Sequence, residues 1–169
     1  MKHFLSTCLL ICIAANVFAQ NLKADEAAIR SIIQKKQEAW NKHDWVAFSQ
    51  DYTEDATLVN FVGMFWKSKS DIISHLSSIN DCCLSATSVK FDLQFFRPIN
   101  PGVDVVYIEE TLFTDRDYST PVQSYKKGEI EYKQIIAVYV KKGKEWKVTA
   151  EQLTLINQLL TPHKDIKRI

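Results

Sequence analysis

The chain has 169 residues, 46% apolar and 24% charged, and its 21 basic and 20 acidic side chains leave a formal net charge of +1. This is a globular composition, not a disordered, collagen-like or coiled-coil one, and the length suits one domain with its own core. The charge balance lacks the basic excess of a nucleic-acid binder, so no nucleic-acid partner is expected.

Met1-Lys2-His3 is a short basic start, and Phe4 to Ala15 is almost wholly apolar. Val17-Phe18-Ala19 then supplies small or medium residues at the −3 and −1 positions of a cleavage site. The pattern predicts a signal peptide over residues 1–19, cleaved near Ala19, and an exported chain, periplasmic or secreted. The apolar run is too short to span a bilayer comfortably. Cys8 and Cys12 lack the small residues that precede a lipidated cysteine, so no stable membrane anchor is expected. Cleavage takes one lysine and no acid, leaving a neutral mature chain whose cysteines are Cys82 and Cys83. Adjacent cysteines rarely bridge each other. A bridge between two subunits is open to them in an oxidising compartment, but the plainer expectation is two partly buried thiols near a helix end.

Residues 20–157 read as a single domain, and 158–169 as a tail mixing Leu159, Leu160 and Ile166 with Lys164, Lys167 and Arg168. Asp25 is positioned to cap a helix running to about Asn41, with Ile29, Ile32, Ile33 and Trp40 as its apolar stripe and Arg30, Lys35, Lys36 and Glu38 mostly off it. Asn41-Lys42-His43-Asp44 reads as a break. A short helix follows, with Trp45, Phe48 and Tyr52 at three- and four-residue spacing. Trp40, Trp45, Phe48 and Tyr52 are expected to form the joint between the first two helices and the sheet. Ala56 to Val62 reads as a strand closed by Gly63. Ser68 or Ser70 then caps a third helix carrying Ile72, Ile73, Leu76 and Ile79.

After Cys83 the period becomes two. Val89, Phe91, Leu93 and Phe95 alternate with polar residues as a half-buried strand. Pro98 is expected to end it. Val103 to Thr114, Glu129 to Val140 and Trp146 to Ile156 are three further strands, separated by a polar loop and a tight Lys141-Lys142-Gly143-Lys144 turn. Helices followed by a long antiparallel meander make an α+β domain.

The order Trp40-Asn41-Lys42-His43-Asp44, Tyr52-Thr53-Glu54-Asp55-Ala56, Gly63 and Gly143-Lys144-Glu145-Trp146-Lys147-Val148, followed by Gln152 and Thr154, resembles nuclear transport factor 2-like proteins. The resemblance extends to their SnoaL-like and SgcJ/EcaC-type branches (the domain of unknown function 4440 group) and covers nearly the whole mature chain. It implies a cystatin-like, cone-shaped roll: three N-terminal helices packed in a curved, mostly antiparallel sheet, open at one end into an apolar pocket. It also implies a homodimer formed through the outer sheet face. Relatives range from isomerases, cyclases and dehydratases to plain binding modules, so fold alone decides little.

The ketosteroid isomerases of this superfamily carry a carboxylate base at the position of Asn60, and an amide cannot take a proton from carbon. Their second acid falls near Ile136, and their oxyanion tyrosine near Lys36. Isomerase chemistry of that type is therefore not expected. Glu109, on a strand face with Tyr107 and Thr111, and Glu151, on the last strand, are the candidate catalytic carboxylates. In an apolar cone either would have a raised pKa and act as a general acid or base. The plainer reading sets each on the solvent or dimer face, paired with Lys133 or Lys147. Tyr132 and Gln134 share a face of their strand, and His75 lies on the third helix near the pocket rim. Phe61 and Trp66 flank Gly63 near the mouth and would suit a flat apolar ligand. The expected ligand pocket thus comprises Asn60, Phe61, Trp66, His75, Tyr107, Tyr132 and Gln134.

No His, Asp and Glu cluster has metal-ligand spacing. No nucleophile elbow, phosphate loop or dinucleotide fingerprint is present. No metal or cofactor is expected. The reading that results is an exported domain that binds a small apolar molecule. The alternatives are a cofactor-free lyase, cyclase or isomerase working through Glu109 or Glu151, and a structural domain whose pocket is filled by its own side chains.

Overall fold

The computed structural model describes the backbone of residues 2–120 and 123–160, and within those limits the side chains from residue 22 onward. The expected signal peptide and its cleavage site lie outside the described side chains. Among the described residues no helix is long and apolar enough to cross a membrane.

Helix α1 (Lys2–Asn41) buries Ile29, Ile32, Ile33 and Trp40 on one stripe. It stops at the expected break, where His43 takes a left-handed φ of 55°. Asp44 then caps α2 (Trp45–Phe48) by accepting from the Ala47 amide at 2.9 Å. Asp25 does not start the helix, which already runs through it. Its carboxylate accepts from Lys141 Nζ at 2.7 Å and Trp146 Nε1 at 3.0 Å, tying α1 to the sheet. Trp40 meets Trp45 edge to face with centroids 5.3 Å apart, and Phe48 packs on both. This is the joint predicted from the aromatic spacing.

β1 (Tyr52–Val59) begins four residues earlier than predicted and ends three residues before the predicted Val62. The Asn60 carboxamide oxygen accepts from the amides of Val62 (3.1 Å) and Met64 (2.9 Å), closing a tight turn. Gly63 sits in that turn at φ +87°, a conformation strained for any side chain. The chain returns as β2 (Phe65–Trp66), and Ser68 caps α3 (Lys69–Ser78). A short 3-10 turn (Leu84–Ala86) leads into β3 (Thr87–Asn100) and then β4 (Val103–Thr114). A small hairpin, β5 (Tyr118–Ser119) and β6 (Ser124–Tyr125), precedes β7 (Ile130–Lys142) and β8 (Glu145–Leu155).

The large sheet runs β2-β1-β8-β7-β4-β3. Its one parallel pair is β1 with β8; the others are antiparallel. Helices and this mixed sheet make an α+β fold. β3 does not end at Pro98 as predicted. It is the outermost strand, and an edge strand tolerates a residue with no N–H to donate. Strand alternation sets one face against the helices. One rung of that face is Leu58, Glu151, Ala137 and Val106, and the next includes Ile135 and Ile108. Val106, Ile108, Ile135, Ala137, Tyr139 and Val148 close the core over Ile29 and Ile33.

Asp104 of β4 lies in this interior, 2% exposed, and its Oδ2 has no partner among the described residues. Burial, and then the nearby Asp25 carboxylate, push its pKa up from 3.8 to about 6, against the opposing pull of Lys141. The folded chain thus holds this proton more tightly than the unfolded chain. The stability it contributes is complete below 3.8 and is lost as pH rises through about 6. Asp104→Asn is therefore expected to flatten the denaturation midpoint between those pH values. Urea titrations across pH should show the variant gaining on the parent chain as pH rises.

Candidate functional site

Lys36 lies in the apolar stripe of α1, four residues before Trp40 and three after Ile33. Its ammonium is carried into the core, where it meets Glu151 of β8. The two side chains are 4% and 3% exposed, and Lys36 Nζ donates to Glu151 Oε2 at 2.6 Å. Tyr52, at the start of β1, completes the cluster. Its hydroxyl accepts from Lys36 Nζ at 2.9 Å and donates to Glu151 Oε2 at 2.8 Å. The ammonium also lies 4.8 Å from the ring centroids of both Phe48 and Tyr52, a favourable seat for a desolvated cation. Burial, and then the Glu151 charge, hold the Tyr52 hydroxyl well above the ordinary tyrosine range, so it stays protonated. Tyr139 of β7 is fully buried beside them, and burial and Glu151 keep it protonated too. Its hydroxyl has no hydrogen-bond partner among the described residues.

A local irregularity in β8 makes this possible. Val148 pairs with Tyr139, but Ala150 pairs with Val138 and Glu151 with Ala137, so a bulge lies between. Before it, Trp146 and Val148 face the helices; after it, Glu151 and Leu153 do. Without the extra residue Glu151 would point outward.

A second buried pair lies on the same face. Lys133 Nζ is 2.9 Å from Glu110 Oε1, both side chains 2% exposed, and 3.5 Å from Glu131 Oε2. The Phe61 ring covers the ammonium at 4.9 Å. Lys133 and Ala137 are four residues apart on β7, so the two pairs are separated by about 13 Å along the strand, with Ile135 and Ile108 between them.

The other expected pocket residues are dispersed. Tyr107, Glu109, Tyr132 and Gln134 lie on the outer face, away from α1. The register pairs Tyr107 with Ile136, Glu109 with Gln134 and Thr111 with Tyr132. Tyr107 packs on Phe95 at 5.9 Å, and Gln134 Nε2 donates to the Ile108 carbonyl at 3.1 Å. Asn60 is consumed in its own turn. Trp66 is buried and stacks on His75 with centroids 5.2 Å apart. The His75 ring is half exposed and 3.3 Å from Asp71. The expected ion-pair partners also change. Glu151 takes Lys36, Lys133 takes Glu110, and Lys147 takes Asp51 at 3.0 Å.

Cys82 and Cys83, expected as free thiols, are joined to each other. They occupy the turn after α3, where the Cys83 amide donates to the carbonyls of Ile79 and Asn80. A groove of about 190 Å3 opens between α1 and β3. Arg30, Gln34, Gln37 and Asp92 make it largely polar, unlike the expected apolar pocket. Among the described residues no three His, Cys, Asp or Glu side chains are grouped to hold a metal ion.

Sequence reasoning set Lys36 off the apolar stripe, where the structure instead buries it, and did not single out Tyr139 or Glu110. For Lys36 the signal was present: positions 29, 33, 36 and 40 fall on one helical stripe. For Glu151 it was the switch of apolar parity from Trp146 and Val148 to Leu153 and Leu155.

No protein-family model and no curated protein matches the chain. Solved structures do. An uncharacterised cystatin-like protein from Caulobacter vibrioides is 20% identical, with a TM-score of 0.69 over 78% of this chain and 89% of that one. A ketosteroid isomerase-like protein from Erwinia carotovora atroseptica is 13% identical, with a TM-score of 0.61 over 78% and 95%. A scytalone dehydratase-like protein from Novosphingobium aromaticivorans is 13% identical, with a TM-score of 0.67 over 82% and 89%. The chain therefore has the cystatin-like fold of the nuclear transport factor 2-like proteins.

Proposed function

We propose that this chain is an exported small-molecule-binding domain that holds its ligand on the helix-facing side of the sheet, inside a cone. The observation that carries this reading is the Tyr139 hydroxyl, buried beside Glu151 with no partner among the described residues. An unsatisfied buried hydroxyl costs on the order of 1–3 kcal/mol. A ligand hydroxyl or carbonyl would recover that cost. The Lys36, Tyr52 and Glu151 cluster would fix the polar end of the ligand, and the aliphatic rung of Ile108 and Ile135 its apolar body. Buried ion pairs seldom add net stability over apolar packing, which supports a recognition role. Entry would be at Phe61, the partly exposed ring over the second pair.

The second reading is a cofactor-free lyase, cyclase or isomerase with Glu151 as the acid–base group. It draws on the isomerase-like and dehydratase-like neighbours and on a carboxylate already bonded to a protonated tyrosine. Glu109, on the outer face, is not part of either reading. Association into a homodimer through that outer face is also proposed, since Phe95 and Ile136 are exposed on it beside Tyr107.

Tyr139→Phe separates the binding reading from a purely structural role. The variant is expected to be as stable as the parent chain, or about 1 kcal/mol more stable. It should also lose most of the small molecule retained in native mass spectrometry. A loss of stability with ligand unchanged would reject the reading. Lys36→Met or Glu151→Gln alone should cost about 3–5 kcal/mol in denaturant titrations, and the two together much less, because the single changes strand a buried charge. If the double variant binds the compound but no longer converts it, the enzymatic reading takes precedence. For the dimer, Ile136→Glu should convert a two-chain species to one chain in light scattering, with an unchanged melting temperature.

A further inference from the structure

Helix α1 lies along the free side of β3 and supplies it with hydrogen bonds in place of a neighbouring strand. Asn41 serves both backbone groups of Val89, and the Gln37 carboxamide oxygen accepts from the Phe91 amide at 2.8 Å. Residues 41, 37, 34 and 30 follow one another on a single helical face, so Gln34 and Arg30 come next. Neither continues the series. Gln34 Nε2 donates to Glu38 at 3.0 Å, and Arg30 Nε and Nη2 donate to Glu26 at 3.0 and 2.7 Å. A bulge between Leu93 and Phe95 also interrupts the strand at this level, and a bulge bends the strand that carries it. The groove of about 190 Å3 opens where the series stops.

Backbone polarity defines what the groove can hold. In an antiparallel pair, successive residues turn their N–H and C=O alternately towards and away from the partner strand. Val89 and Phe91 turn theirs away from β4 and towards α1, so Leu93 does the same. The Phe91 carbonyl and the Leu93 N–H therefore face the groove, and neither has a partner on that side among the described residues. Gln37 gives its oxygen to Phe91, which leaves its Nε2 directed elsewhere, again with no partner among the described residues. Arg30 is exposed, with Nη1 outside its bonds to Glu26. Ile33, Phe91 and Leu93 supply apolar lining, and Asp92, paired with Lys90 at 2.7 Å, lines the groove as well. The volume is below the roughly 300–1,000 Å3 that holds a drug-sized ligand, and suits a single residue of chain.

We propose that this groove binds the last residue of an extended peptide, lying parallel to β3. The amide N–H of that residue donates to the Phe91 carbonyl, and its terminal carboxylate accepts from the Leu93 N–H. Residue 41 lies beside 89 and residue 37 beside 91, so Arg30 lies past Leu93, at the carboxylate end, where its guanidinium meets the charge. The carbonyl of the preceding residue faces the opposite side and accepts from Gln37 Nε2. Main-chain bonds of this kind give a peptide its affinity, and the side chains around them its specificity. The apolar lining favours an aliphatic last side chain, and Asp92 disfavours an acidic one. The site is one rung of strand edge, and it is independent of whether the interior holds a ligand.

Titration of the full chain with the peptide acetyl-Ala-Ala-Leu, followed by nitrogen–proton correlation NMR, tests it. The Leu93 backbone amide and the Gln37 side-chain amide are expected to shift saturably. The analogue ending in a carboxamide, and the one methylated on its last peptide nitrogen, should each bind at least several-fold more weakly. Arg30→Gln should bring the acid and the carboxamide to the same affinity. Its melting temperature should not change, because the Arg30 and Glu26 pair lies at the surface. Gln37→Glu retains an acceptor for the Phe91 amide and removes the free donor, and should weaken binding at least several-fold. The proposal is overturned if the Leu93 amide does not shift, if the methylated analogue binds as the parent peptide does, or if Arg30→Gln leaves the preference for the acid intact. Shifts centred on Tyr139 instead would also overturn it, by making the peptide a ligand of the interior.

Discussion

Two opposite charges with almost no exposure to water hold the first helix to the last strand. Lys36 and Glu151 are 115 residues apart in sequence and 2.6 Å apart in space. Each charge alone would be untenable in this interior, so every element that positions one must position the other. The requirement fixes the rotation of α1 about its axis, since Lys36 must point at the sheet. It fixes the bulge in β8, since Glu151 must point at the helix. It fixes the start of β1, since Tyr52 must bring its hydroxyl to both. Apolar packing would permit small slips of α1 over the sheet; a directional pair with a shared tyrosine does not.

The legible and illegible parts of the chain divide along this line. Apolar periodicity and turn residues located the helices and the long strands, because those signals are local. Ser68, Asn41 to Asp44 and Gly143 act where their chemistry said they would. What failed was the assignment of faces. Tyr107, Glu109, Tyr132 and Gln134 sit on strands whose outer positions are themselves apolar or aromatic, among them Val105, Ile136 and Val138. Alternation therefore gave two acceptable answers, and only pairing with neighbouring strands chooses between them. Asn60 was legible as an amide where ketosteroid isomerases carry a base, but not as the residue that turns the chain. Pro98 misled because its effect depends on whether its strand is central or at the edge.

The sheet's edges explain where association is directed. β3 is an edge, yet the inner half of its free side is already satisfied. Asn41 accepts from the Val89 amide at 2.8 Å and donates to the Val89 carbonyl at 3.0 Å, and Gln37 accepts from the Phe91 amide at 2.8 Å. Pro98 removes a donor farther along. At the opposite edge, β2 is two residues long. Both edges thus offer a passing strand little to pair with, and what remains exposed and apolar lies on the outer face and on the β1–β2 turn.

That turn is specified rather than slack. A mobile loop carrying Phe61, Val62, Met64 and Phe65 would collapse onto the nearest apolar surface and bury them. Here Asn60 takes two amides into its own side chain and Gly63 supplies the positive φ, so the turn cannot fold back without losing those bonds. The only ring allowed inward is Phe61, which covers the Lys133 ammonium and shields a charge that would otherwise meet water at the sheet's end. The remaining apolar side chains are held outward by the same geometry that turns Phe61 inward. One tight turn therefore both closes the interior and presents an apolar tip. A change that loosened it, such as loss of the Asn60 carboxamide, would affect the two together.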